Sequence, residues 1–173
     1  MKKNLLGISD LTRDEIEGLF FKTEELKSKS KKFSRALQGK SLGLIFQKPS
    51  NRTRVSFEVG IAQLGGYAIY LGPDEIQLGV REEIRDVART LSRYLDCIVA
   101  RTFSHDDVIE LARHSSIPVI NGLSDLTHPC QGLSDLYTVK EKMGRLKGLK
   151  IAYIGDGNNV LHSLLLGCSI MGM

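Results

Sequence analysis

Short apolar runs alternate with longer stretches of helical periodicity along nearly the whole chain. The runs fall at residues 41–47, 67–71, 96–101, 118–121 and 151–154. Each is strand-length and bounded by turn residues, as buried strands are. Before the first run, Thr12 and Glu15 have the spacing of a capping box. Ile16, Leu19, Phe20, Thr23 and Leu26 then predict an amphipathic helix from residue 13 to about residue 30. Later stretches at 82–94, 105–114, 132–143 and about 160–170 have apolar residues enough for one buried face each. Strand and helix in alternation predict an α/β fold, a doubly wound, mostly parallel sheet flanked by helices.

One stretch is ambiguous. Val55, Phe57, Val59 and Ile61 alternate as in a strand, yet Val55, Val59 and Ala62 lie on one helical face and Phe57, Ile61 and Leu64 on another. A helix buried on two sides is the reading adopted, because a parallel crossover requires one. Gly65-Gly66 then stops it. Residues 72–81 read as a loop. The last helix ends where a crossover should feed another strand, so residues 149–173 are expected to open a second, similar domain that is truncated, after a first domain over 1–148.

The net charge of +4 and pI near 9.0 come largely from lysines between Lys22 and Lys40. That segment offers only Phe33 as an aromatic, so a solvated helix end is expected and not a nucleic-acid surface. No apolar run reaches the roughly 18 residues of a membrane span. The apolar part of the first ten residues is too short for a signal peptide, so a cytoplasmic location is expected. Cys97, Cys130 and Cys168 are odd in number and far apart, unlike a disulfide framework or a metal knuckle.

In a parallel sheet of this type, ligands bind beyond the carboxyl ends of the strands. The segment after the first run is Lys48-Pro-Ser-Asn-Arg-Thr-Arg-Val-Ser-Phe57. Pro49 ends the strand. A helix starting here has free N–H groups and a positive dipole end. With the hydroxyls of Ser50 and Thr53 and the fork of Arg52, this is a seat for phosphate or carboxylate. The other reading is a capped helix with its arginines in solvent. Gln77, Arg101, residues 128–131 and Asn158-Asn159 fall in the other strand-to-helix loops.

Ser50-Asn51-Arg52-Thr53-Arg54, followed by His128-Pro129-Cys130-Gln131, resembles the carbamoyltransferase family, and family-like sequence covers nearly the whole chain. Within that family, Ile76-Gln77-Leu78-Gly79 and Gly155-Asp156-Gly157-Asn158-Asn159 are similar to the loop and turn of its ornithine-specific members. Asn51 stands where the family's Ser-Thr-Arg-Thr-Arg has its first Thr. The resemblance implies that residues 1–148 are a carbamoyl-phosphate-binding domain, including an interdomain helix at about 132–143, and that 149–173 begin an ornithine-binding domain. It implies transfer of a carbamoyl group from carbamoyl phosphate to the δ-amine of L-ornithine, giving citrulline and phosphate, a step of arginine biosynthesis or of a urea-cycle type. This fragment alone is expected to lack turnover.

By the same resemblance Ser50, Asn51, Arg52 and Thr53 hold the phosphate, assisted by Arg101. Arg101 and His128 are the catalytic pair and, with Thr53, surround the carbamoyl oxygen. Gln131 binds the carbamoyl amide, Gln77 reaches a neighbouring subunit's site in a homotrimer or a multiple of trimers, and Leu123 and Asn159 hold ornithine. Neither cofactor nor metal is implied, and neither nucleic acid nor membrane is a partner. Arg54 reads as structural, Cys130 as small packing, Cys97 and Cys168 as core. His105 reads as a helix start, His114 and His162 as surface or packing residues, and Asp125 and Asp135 as loop or cap residues. Three alternatives stay open: putrescine or an acylated ornithine as acceptor, a dinucleotide site at Gly155 and Gly157 lacking its third glycine, and a non-catalytic phosphate-binding module.

Overall fold

All six residues of Ser41–Phe46 (β1) are buried, the pattern of a strand covered on both faces. The computed structural model describes residues 3–173, so Met1 and Lys2 of the N-terminal stretch lie outside the described residues. β1 pairs in parallel with Tyr67–Leu71 (β2) on one side and Cys97–Arg101 (β3) on the other. β3 pairs in parallel with Val119–Leu123 (β4). The sheet runs in the order β2-β1-β3-β4. A methyl group on Gly43 would come within 2.4 Å of Leu95 Cδ1, so a side chain at this position would require Leu95 to shift.

Arg13–Ser28 (α1) starts at the expected capping box: Thr12 Oγ1 accepts from Glu15 N–H, and Glu15 Oε2 accepts from Thr12 N–H. Asn51–Gln63 (α2) is the adopted helix, and it packs Phe57 and Ile61 on Leu42, Leu44, Phe46 and Val99. The turn Pro73–Ile76 (α3) lies inside the expected 72–81 loop. Ile84–Leu91 (α4) and His105–His114 (α5) cover the opposite sheet face, with Val87, Ala88, Val108 and Leu111 against Ile45, Ile98 and Ala100. Beyond β4, Pro129–Met143 (α6) and Asn159–Met171 (α7) join α1 around Ile8, with Phe20, Leu136, Cys168 and Met171.

Three expectations are corrected. Residues 151–154 form no strand and are exposed, Ile154 at 97%. A strand exists only through its ladder, and among the described residues nothing pairs with this run. The sheet offers it no place at β4, whose Ile120 is bridged by Leu5, with Leu5 N–H donating to Val119 O at 2.9 Å. Second, α2 is buried on one side only. Val55 and Val59 are 54% and 47% exposed, because the sheet meets only the Phe57–Ile61 side. Third, α6 begins at Pro129 and not at residue 132, its proline occupying a first-turn position that needs no donor. No helix among the described residues is long and apolar enough to cross a membrane.

α6 and α7 close on each other through small residues. A methyl group on Gly132 would lie 2.7 Å from Ile8 Cδ1 and 3.0 Å from Ser163 Cβ; one on Gly167 would lie 2.5 Å from Leu136 Cδ1. Gly132→Val is therefore expected to destabilise the protein by about 1–3 kcal/mol, the usual cost of overpacking. Urea unfolding checks this, and an unchanged midpoint would mean the two helices part without penalty.

Candidate anion-binding site

From β1 the chain passes to β2 on one side, then returns to β3 on the other. Loops leaving β1 and β3 thus diverge, and a crevice opens between them at the carboxyl end of the sheet. The β1 loop enters α2 with Ser50 as cap, its Oγ accepting from Thr53 N–H at 3.3 Å. Arg54 N–H returns to Ser50 O. The Asn51 and Arg52 N–H groups at this helix start have no intrahelical acceptor.

A cavity of about 530 Å³ fills the crevice. Ser50, Arg52, Thr53 and Phe57 line it from the β1 side, Arg101 from the end of β3, and Leu123 from the end of β4. His128, Cys130, Gln131, Ser134 and Asp135 line it from α6 and its entry, and Val160 from α7. Seven sequence-predicted residues therefore share one cavity: Ser50, Arg52, Thr53, Arg101, Leu123, His128 and Gln131. Three do not line it. Asn51 is exposed at the first position of α2. Gln77 is exposed in a left-handed turn (φ 40°) after α3. Asn159 opens α7 and spends its amide nitrogen on Ser124 O at 2.7 Å.

The electrostatics are those of an anion site with a neutral imidazole beside it. Burial lowers the Arg101 pKa from its ordinary value, and the guanidinium supplies the positive charge of this wall. Burial first, and the Arg101 charge second, push the His128 imidazole down from 6.5 to about 4, against an opposing pull from Asp135. Arg101 Nε and His128 Nδ1 are buried without a hydrogen-bond partner; the third such side-chain atom among the described residues is Asn121 Oδ1. Unpaired buried polar groups are rare in folded proteins. Two of these three belong to this cavity wall.

Residues that the sequence reading passed over hold the loops in place. Gln47 Oε1 accepts from Phe103 N–H at 2.7 Å while its Nε2 donates to Asp107 at 3.0 Å, tying the β1 exit to the loop after Arg101. Fully buried Asn121 donates to Leu6 O and Thr127 Oγ1 at 2.9 and 3.0 Å, and Thr127 N–H donates to Ser124 Oγ. His128 N–H donates to Ser163 Oγ at 2.9 Å. The signal available in sequence was a polar residue inside or just after an apolar strand, as at Gln47 and Asn121.

Other readings separate cleanly. Arg54 stacks 3.7 Å over the Tyr70 ring and pairs with Glu58 at 3.0 Å, outside the cavity. Burial pushes the Cys130 thiol up to about 11, and it donates to Asn121 O at 3.6 Å, so it packs as a neutral group. His105 opens α5, and its N–H is bound by Asp125 at 2.8 Å. His114 pairs with Glu110, and His162 Nδ1 meets Leu126 O at 2.9 Å. Asp135 is corrected: it is no cap, lying inside α6 with its carboxylate accepting from Gln131 Nε2 at 2.8 Å. The dinucleotide alternative loses its context, since no strand precedes Gly155 and Gly157.

Fold and cavity together define a parallel α/β domain with an arginine-lined cavity at its topological switch point. The family described as "Aspartate/ornithine carbamoyltransferase, carbamoyl-P binding domain" matches residues 3–141. Ornithine carbamoyltransferase of Thermococcus kodakarensis is 54% identical over 172 residues, covering 98% of this chain and 55% of that protein. The Bacillus subtilis protein of the same name is also 54% identical, over 98% of this chain and 53% of its own length. In structure, ornithine carbamoyltransferase from Pyrococcus furiosus superposes with a TM-score of 0.94 at 50% identity, over 98% of this chain and 55% of that one. The catalytic subunit of M. jannaschii aspartate transcarbamoylase gives 0.88 at 33% identity, over 98% of this chain and 57% of that one. The chain belongs to the aspartate/ornithine carbamoyltransferase family, and it spans about half the length of these relatives.

The imidazole makes an acid-side prediction. In the unfolded chain His128 titrates near 6.5; in the folded protein it titrates near 4. Between those values the unfolded state takes up a proton that the native state refuses, so this residue lowers stability as pH falls from about 6.5 to about 4. Above that window it has no effect. NMR titration of the His128 ring is expected to show a midpoint near 4; a midpoint at the ordinary value would remove burial as the governing influence.

Proposed function

We propose that this chain binds carbamoyl phosphate in the cavity between β1 and β3, and that in the whole protein it serves carbamoyl transfer to the δ-amine of L-ornithine. One observation carries the reading: the α2 start, Arg101 and the His128–Gln131 turn, far apart in sequence, line one cavity. Family membership and the names of the similar proteins support ornithine as the acceptor.

The chemistry follows from charge. Ser50, Arg52 and Thr53, with the free N–H groups at the α2 start, hold the phosphate. Arg101 and neutral His128 face the carbamoyl carbonyl, whose oxygen gains negative charge as the neutral amine attacks its carbon. The C–N bond forms, the C–O bond to phosphate breaks, and the departing phosphate accepts the amine proton. Alignment and fixed dipoles, not a covalent intermediate, supply the rate. Leu123 and Asn159 hold the amino-acid end of ornithine, and Gln77 reaches the site of a neighbouring subunit.

Residues 1–148 form the carbamoyl-phosphate domain in this proposal, and 149–173 the first unit of the ornithine domain. The exposed run at 151–154 suits that assignment, since its strand-like sequence has no partner among the described residues. A cytoplasmic homotrimer acting in arginine synthesis completes the proposal. Exposed Val55 and Val59 on α2, beside exposed Tyr67 and Ile69 on edge strand β2, suit subunit contact.

Arg52→Ala is expected to weaken carbamoyl phosphate binding by about 1.5–3 kcal/mol, the worth of a hydrogen bond to a charged group. Calorimetry on the 173-residue chain, with inorganic phosphate as competitor, measures it. Unchanged affinity in that variant would take Arg52 out of the site.

A further inference from the structure

Asp135 is out of place in an anion site. It lines the same cavity as Arg52 and Arg101, and a carboxylate there repels any phosphate that enters. Among the described residues it makes no ion pair with either arginine; its side chain accepts one hydrogen bond, from Gln131 Nε2 at 2.8 Å. The two residues are four apart on α6, one turn of helix, so their side chains lie side by side.

We infer that Asp135 is a positioning residue: its carboxylate orients the Gln131 amide so that the oxygen, and not the nitrogen, is presented to the ligand. The reason lies in the donor and acceptor inventory. An amide offers either end, and rotation about its last bond exchanges them with little change of shape. An ionised carboxylate can only accept, so it binds the nitrogen and leaves the oxygen as the group available to the cavity. The site then selects phosphoryl compounds whose acyl carbon bears an N–H donor and rejects those with a methyl group there. A hydroxyl or amide at position 135 would lack this one-sidedness. The inference rests on the carbamoyl phosphate reading and adds to it the source of discrimination against other acyl phosphates.

Acetyl phosphate is the discriminating probe, since it replaces the carbamoyl amino group with methyl and keeps the phosphate. Both ligands carry the same charge, so the gain in affinity from removing the Asp135 charge cancels in their ratio. Calorimetry on the wild-type chain is expected to favour carbamoyl phosphate over acetyl phosphate by about tenfold or more, the scale of one well-made hydrogen bond. In Asp135→Asn the preference is expected to fall severalfold, because asparagine can also donate and lets the Gln131 amide turn round. In Gln131→Ala the preference is lost, and adding Asp135→Asn changes the ratio no further, as required if Asp135 acts through Gln131. Urea unfolding of each variant reports whether the fold is kept, and Asp135→Ala provides a second removal of the acceptor.

An unchanged ratio in both folded Asp135 variants would overturn the positioning role while leaving carbamoyl phosphate binding intact. A ratio that still shifts with Asp135→Asn in the Gln131→Ala background would overturn it too. Wild-type chain that binds inorganic phosphate but prefers neither acyl phosphate would overturn it at the level of selectivity. Absence of binding for all three ligands would bring down the carbamoyl phosphate reading and this inference together.

Discussion

Complete burial of β1 between two parallel neighbours is the constraint on which the rest of the structure depends. A strand covered on both faces cannot alternate polar and apolar residues, and Leu42, Leu44, Ile45 and Phe46 satisfy that demand. Parallel pairing on each side obliges the chain to cross over by helices, α2 on one face and α4 with α5 on the other. Because β2 and β3 leave β1 in opposite directions, the loops at its carboxyl end have nothing between them. The crevice is thus a consequence of strand order before any side chain is placed in it.

What occupies the crevice is a division of electrostatic labour. The α2 start and the two arginines supply positive potential. His128 lies in the same wall but stays uncharged, held so by burial and by Arg101. It can therefore act as a hydrogen-bonding group without adding a further charge to the wall. Among the described residues, Asp135 is the one carboxylate on the cavity wall. Its carboxylate accepts a hydrogen bond from Gln131 Nε2.

Support for these walls comes from a third cluster, away from the sheet. Ile8, Phe20, Leu136 and Met171 pack α1, α6 and α7 together, and the glycines at 132 and 167 let the last two helices approach. Ser163 on α7 then reaches His128 N–H. The position of His128 accordingly depends on residues up to 35 positions later in the chain, and helix packing and site geometry are one problem here.

The order of the four strands and of the helices between them, Ser50 at the head of α2 and the two motifs at 50–54 and 128–131 were legible in the sequence, because periodicity and turn chemistry are local properties. So was the structural role of Arg54, from its place on the helical turn. Folding decided matters that depend on distant partners. Residues 151–154 have strand composition but no ladder, and Val55 and Val59 have core composition but face outward. Local composition states only what a segment could bury, whereas the neighbour that arrives decides whether it does. The convergence of Arg52, Arg101 and His128, the neutrality of that imidazole and the pairing of Asp135 with Gln131 likewise exist only once β1, β3 and α6 meet at one rim, since burial and charge proximity are properties of space and not of chain order.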